Sequence, residues 1–219
     1  MYRLHDNGAY SDLTIVCGSD TYKVHKAIIC PQSDFFRAAC RVDTFQEGKT
    51  NTITIAASSG RDESTSPLAL GEDFDWDLDV ETTTSVKLMI HYFYHHDYLE
   101  HEVVHIHDLV FPKAVLDEHS RMYAMGEKYG IRGLKRVALA KFQGQRGPSL
   151  MSESSVMPAA VIAFNSTPES DKDLREAVLE FLDRSRKTFK HSVPIQNMIL
   201  SMPEVAYGLY RKSIDYNRL

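Results

Sequence analysis

The sequence predicts an α+β domain followed by an all-helical extension, and three observations carry that class. An alternating hairpin at 13–24 runs straight into a helix. A second alternating strand, Thr52-Ile53-Thr54-Ile55, follows it. From Val86 onward the apolar residues fall at helical spacing instead. With 219 residues, 43% of them apolar, the chain can bury one large domain or a core domain with a smaller appendage.

Residues 1–10 read as an N-terminal tail. Leu13, Ile15 and Cys17 alternate with Thr14 and Val16, the period-two pattern of a strand with a buried face. Gly18-Ser19-Asp20 supplies a turn, and Thr21-Tyr22-Lys23-Val24 returns antiparallel. Ile28, Ile29, Phe35, Phe36 and Ala39 then fit short helices interrupted at Pro31, with Ser33 as the N-cap before Phe35-Phe36. After the strand at 52–55 comes a low-hydrophobicity insertion at about 57–80. Its stretch from Arg61 to Glu81 holds eight carboxylates against Arg61 alone, a local charge of −7 beside −5 for the whole chain, which leaves the remainder slightly positive. The insertion ends Phe74-Asp75-Trp76-Asp77-Leu78-Asp79-Val80, either a strand with one acidic face or an acidic loop with aromatic anchors.

Val86, Met89, Ile90 and Phe93 predict a helix capped by Thr83 or Thr84. Met122, Met125, Gly126 and Tyr129 predict another, stopped by Gly130. Ile131, Leu134, Ala138 and Phe142 continue as a third. Residues 143–149, Gln-Gly-Gln-Arg-Gly-Pro-Ser, read as a linker. The helical extension occupies 150–219: Pro158 and Pro203 suit first helical positions after Ser155 and Ser201, and Leu174, Val178, Phe181 and Leu182 mark an amphipathic helix.

Composition narrows the function. A net charge of −5 and a pI near 6.0 give no nucleic-acid footprint. No apolar run approaches the roughly 20 residues that cross a bilayer, and Met1-Tyr2-Arg3-Leu4-His5-Asp6 lacks a secretory signal. Cys17, Cys30 and Cys40 are odd in number and lack metal-ligand spacing, as expected of core thiols in a reducing compartment, the cytosol or nucleus.

The phrases Ser11-Asp12-Leu13, His25-Lys26, Ser33-Asp34-Phe35-Phe36, Phe45-Gln46-Glu47, Tyr92-Phe93-Tyr94, Asp97-Tyr98 and Tyr123 to Leu134 occur in a fixed order. That order resembles the BTB/POZ domain over residues 11–142, broken by the insertion. Thr167-Pro168-Glu169-Ser170-Asp171 and Leu174-Arg175 in the tail are similar to fungal stand-alone BTB proteins. The resemblance implies a small β-sheet flanked by helices, with His25, Phe35 and Phe36 as fold signature. It also implies a protein-interaction adaptor with other proteins as partners. Some relatives bridge a cullin-type ubiquitin ligase scaffold to a client through an apolar residue, any residue, then Glu, which here falls on Phe45 and Glu47. An apolar knob beside one charged hydrogen bond makes a small hot spot. The alternative makes Phe45 a loop anchor and Glu47 a solvated side chain.

Other relatives dimerise around a charged pocket, whose positions match Asp12 and Lys26. Such a pair is costly to bury singly and tolerable together; otherwise Asp12 caps a turn and Lys26 reaches solvent. Three departures bear on partners. Only ten residues precede Ser11, which argues against the strand-exchanged homodimer. The acidic insertion lies outside the compact pattern. No recognition domain such as kelch repeats follows, so the insertion or the 150–219 helices must recognise the client.

Catalytic chemistry has weaker support. Six of the ten histidines lie between His91 and His107, and His91 and His95 are the metal candidates at i, i+4. They fall opposite Val86, Ile90 and Phe93, toward solvent, with no His-Glu-x-x-His pattern. Asp75, Asp77 and Asp79 begin like a calcium loop, but Val80 and Val86 stand where Gly and Glu are needed. No phosphate loop, Gly-x-Ser-x-Gly elbow or Cys-His pattern occurs. The expectation is therefore an interaction protein with no catalytic residue and no cofactor. A self-associating structural or transcription-associated protein without cullin binding and a His-cluster metalloenzyme are the alternatives.

Overall fold

The computed structural model describes residues 8–41, 46–57, 78–98, 103–106, 109–112, 116–145 and 153–216. Strand β1 (Leu13–Cys17) is the centre of a three-stranded sheet, antiparallel to β2 (Asp20–Val24) and parallel to β3 (Thr52–Ile55). Ile15 pairs with Ile53 and Cys17 with Ile55. Because successive side chains alternate faces, Leu13, Ile15, Cys17, Ile53 and Ile55 all end up buried. Each of these aliphatic side chains contributes about 2 kcal/mol of burial.

A parallel pair needs a long crossover. Here it contains α1 (Lys26–Ile29), a 3-10 turn (Cys30–Gln32), α2 (Asp34–Ala39) and α3 (Gln46–Thr50). Pro31 breaks the helix because it lacks an N–H. Ser33 restarts it as the expected cap, its Oγ accepting from the Phe36 N–H at 3.1 Å.

Helix α4 (Thr83–His95) is capped by Thr82, not by Thr83 or Thr84. The Thr82 Oγ1 accepts from the Ser85 N–H at 3.0 Å while the Ser85 Oγ accepts from the Thr82 N–H at 2.8 Å. This reciprocal box satisfies two amides at once, which is why it fixes the start one residue early. Helices α5 (Leu116–Lys128) and α6 (Arg132–Gly144) form a hairpin around Gly130, whose φ of +63° is the left-handed stop. Gly126 lets the two backbones approach: a Cβ there would meet the Lys135 backbone N at 2.9 Å. Helix α6 runs through Gly144, so Gln143 and Gly144, expected in the linker, are helical. Burial of Ala138 and Phe142 carries the helix on to that point.

Strands β4 (Val103–Ile106) and β5 (Leu109–Pro112) pair antiparallel as a hairpin that the sequence reading did not anticipate. The 150–219 extension contains α7 (Glu153–Asn165), α8 (Asp173–Arg184), α9 (Arg186–Phe189), α10 (Val193–Ser201) and α11 (Pro203–Tyr216). Pro203 opens α11 as expected, but Pro158 sits inside α7. The Ser155 hydroxyl, inside the same helix, donates to Asp117 Oδ1 at 2.8 Å. Val156 and Met157 are buried, and that burial holds the turn before Pro158 in helical form. Arg175 closes the α7–α8 connection by donating to the Phe164 and Thr167 carbonyls at 3.0 and 2.7 Å.

The chain divides into two compact units. Among the described residues, the first holds the three-stranded sheet, α1 to α4 and Arg121–Ala138. The second holds the β4–β5 hairpin, Leu116 to Ser120 and the chain from Leu139 onward. The acidic insertion falls almost wholly outside the described residues. No helix among the described residues is long and apolar enough to cross a membrane.

His119 is fully buried in the second unit, and burial, with Lys141 as the lesser cause, lowers its pKa from 6.5 to about 4. The unfolded chain therefore binds the proton more tightly than the folded one. Its stabilisation is complete above pH 6.5 and is lost as pH falls toward 4, by up to about 3 kcal/mol. Thermal melts from pH 7.5 to 4.5 should fall more steeply for the native chain than for His119→Gln. Parallel slopes would contradict this assignment.

Candidate interaction surface

The junction between β2 and α1 is organised by two side chains of the opening segment. Asp12 Oδ1 accepts from the Lys26 backbone N–H at 2.8 Å, supplying a partner that the first helical turn lacks within itself. The Lys26 ammonium donates instead to Asn51 Oδ1, close beside it. Asp12 and Lys26, the positions expected to form a charged pocket, meet here through a backbone amide. The described ion pairs do not include them. Asp12 is exposed, so nothing forces its carboxylate to seek a cation.

His25 is buried in the same junction, 7% exposed. Its Nε2 lies 2.7 Å from the Ala9 carbonyl, and its Nδ1 lies 2.7 Å from Tyr94 Oη. A carbonyl only accepts, so Nε2 carries the proton and Nδ1 accepts from the Tyr94 hydroxyl. The same Tyr94 oxygen accepts from the His25 backbone N–H at 3.1 Å. Burial is the main reason the Tyr94 phenol is pushed up and stays a donor. This is a satisfied structural histidine joining β2 to α4.

A second tie lies one turn further on. Ser33 Oγ donates to the Tyr129 carbonyl at 2.6 Å, and the Asp34 N–H donates to the Gly130 carbonyl at 3.4 Å. A Cβ on Gly130 would stand 3.0 Å from the Asp34 Cβ, so glycine serves both the turn and this approach. Phe36, fully buried, stacks on Tyr129 at 5.6 Å and meets Phe93 edge-on at 5.7 Å. Phe35 meets Tyr129 edge-on at 5.0 Å and leaves 42% of its surface exposed. Tyr129 donates to Glu81, which also pairs with Lys128 at 2.8 Å. Burial first, and then Glu81, pushes the Tyr129 phenol far up.

The remaining predicted residues do not converge on this cluster. Phe45 lies outside the described residues. Glu47 is half-buried in the first turn of α3. His91 and His95 are partly exposed on α4 with their rings stacked at 4.0 Å, and His91 Nδ1 donates to the Asp97 carbonyl at 3.0 Å. Among the described residues no three His, Cys, Asp or Glu side chains are grouped to hold a metal. Burial and neighbouring Cys40 push the Cys30 thiol up to about 12, which leaves it without thiolate at neutral pH. Sequence reasoning quoted Tyr94, Tyr129 and Gly130 but missed their roles as partners of His25, Ser33 and Asp34. Their clustering after aromatic and glycine positions was the available signal.

Tyr94→Phe removes the acceptor of a buried N–H and the donor to Nδ1 while keeping the ring. The expected cost is about 1–3 kcal/mol, read as a lower urea midpoint at unchanged slope. A midpoint equal to the native one would show that the pair contributes nothing.

No curated protein matches the chain. The family model of the BTB/POZ domain matches residues 1–61, the segment that contains the hairpin, Asp12, His25, the Ser33 cap and β3. Residues 1–61 are thus similar to the BTB/POZ domain, and the small sheet with its helical cluster is consistent with a BTB-like α+β fold followed by a helical extension.

Proposed function

We propose that the chain is a non-catalytic recruiting adaptor, with one surface docking a cullin-type ubiquitin ligase scaffold and another holding a client. The observation that carries the reading is the BTB/POZ match, because that domain is a protein–protein interaction module. The scaffold contact would use Phe45 and Glu47, with burial of apolar side chains around Phe45 and the groove between helices fixing orientation. Glu47 supports this role because it stands at the start of a helix and keeps part of its surface accessible. The three free cysteines fit a site of action in the cytosol or nucleus.

The test is a pull-down of native chain, Phe45→Ala and Glu47→Ala on an immobilised BTB-binding cullin. Native chain should be retained, and each substitution should weaken retention at least tenfold, about 1.4 kcal/mol. Undiminished retention of both variants would remove the assigned contact. Failure of every form would favour self-association, the second reading, for which Tyr10 at 93% exposure beside β1 is the observation.

A further inference from the structure

The second unit contains a groove that neither the BTB/POZ match nor the scaffold contact uses. Leu182 and Phe189, from α8 and α9, face Ile195 and Ile199 of α10 and Leu209 of α11 across a cavity of about 320 Å³. The spacing explains it: Ile195 and Ile199 are one turn apart on α10, and the short α9 keeps Phe189 beside them. The volume admits one or two large side chains and lies at the small end of ligand pockets.

The side chains lining the groove include two cations. Arg186 and Lys190 line it, and no carboxylate does. From Arg184 to Pro203 the chain carries four Lys or Arg and no Asp or Glu. Arg186 is held by Asp183, so the exposed Lys190 contributes the charge of the lining, and Lys187, exposed on α9 just outside the lining, adds to it. Tyr210 borders the groove and Tyr207 lies one turn before it, 61% and 63% exposed, the residue type enriched at binding hot spots.

We infer that this groove is the client site: it takes an acidic peptide segment whose apolar anchors enter between Phe189, Ile199 and Leu209 while its carboxylates meet Lys187 and Lys190. This names the chemistry of the client and rests on the recruiting role proposed above. A recessed apolar floor under a basic rim matches a chain that presents apolar and acidic side chains together. A flat lipid surface would not fill the recess.

The test selects a phage-displayed library of random 12-residue peptides on the full chain. Enriched peptides should combine several Asp or Glu with at least one Trp, Phe or Leu. Their affinity should fall at least tenfold for the charge reversal Lys187→Glu/Lys190→Glu and for Ile199→Asp, with circular dichroism unchanged. No enrichment, or equal binding to both variants, would overturn the assignment. So would binding of phosphatidylserine vesicles by the native chain when no peptide binds. Glu47→Ala should capture the same peptides as the native chain. Intact peptide capture with failed scaffold retention would therefore sink the scaffold contact alone, and lost capture with intact retention would sink the groove alone.

Discussion

The hydrogen-bonded pair of His25 and Tyr94 is the constraint on which the first unit depends. Three groups that would each be costly to bury alone are satisfied by one phenol and one carbonyl: the His25 N–H, its ring and the Tyr94 hydroxyl. The pair spans 69 residues of sequence, so it ties the hairpin to α4 irrespective of what lies between. Ser33 repeats the arrangement with the Tyr129 carbonyl over 96 residues. Between these two ties Phe36 is enclosed by Phe93 and Tyr129. The sheet supplies the apolar layer, but these polar contacts determine the one way the helices sit upon it.

That arrangement accounts for how much could be read from residues alone. Leu13, Ile15 and Cys17, the Ser33 cap and the Gly130 stop are local signals, governed by neighbours a few positions away. Each appears where the pattern placed it. What was not legible has the opposite character. The amide that donates to Asp12 is the same at every backbone position, so no sequence pattern marks it. Pro158 suited a helix start, whereas the buried Val156 and Met157 carry α7 through it. The β4–β5 hairpin carries no glycine or asparagine turn signal between its two apolar runs, so no local pattern marks it. His25 is a buried, hydrogen-bonded histidine, and its partner Tyr94, 69 residues away, is a long-range fact that no local pattern marks.

The two units divide the chemistry between them. In the first, the titratable groups are satisfied: Tyr94 and Tyr129 are kept protonated, and Glu81 is shared by Lys128 and Tyr129. Such groups stabilise a scaffold and offer little to a substrate. In the second, cationic and aromatic side chains remain on the surface around an apolar recess. The acidic stretch from Arg61 to Glu81 gives the same chain a segment of the opposite sign of charge.

Native-state hydrogen exchange tests the central claim most directly, because it reads whether the opening segment and the later helices open as one unit. If the His25 and Ser33 ties govern the first unit, the amides of β1, Ile29, Phe36 and the Val86 to Phe93 stretch of α4 exchange with one common free energy. If the β1 to α2 segment exchanges several-fold to many-fold faster than α4, the hairpin is an appendage and the account of the fold is wrong.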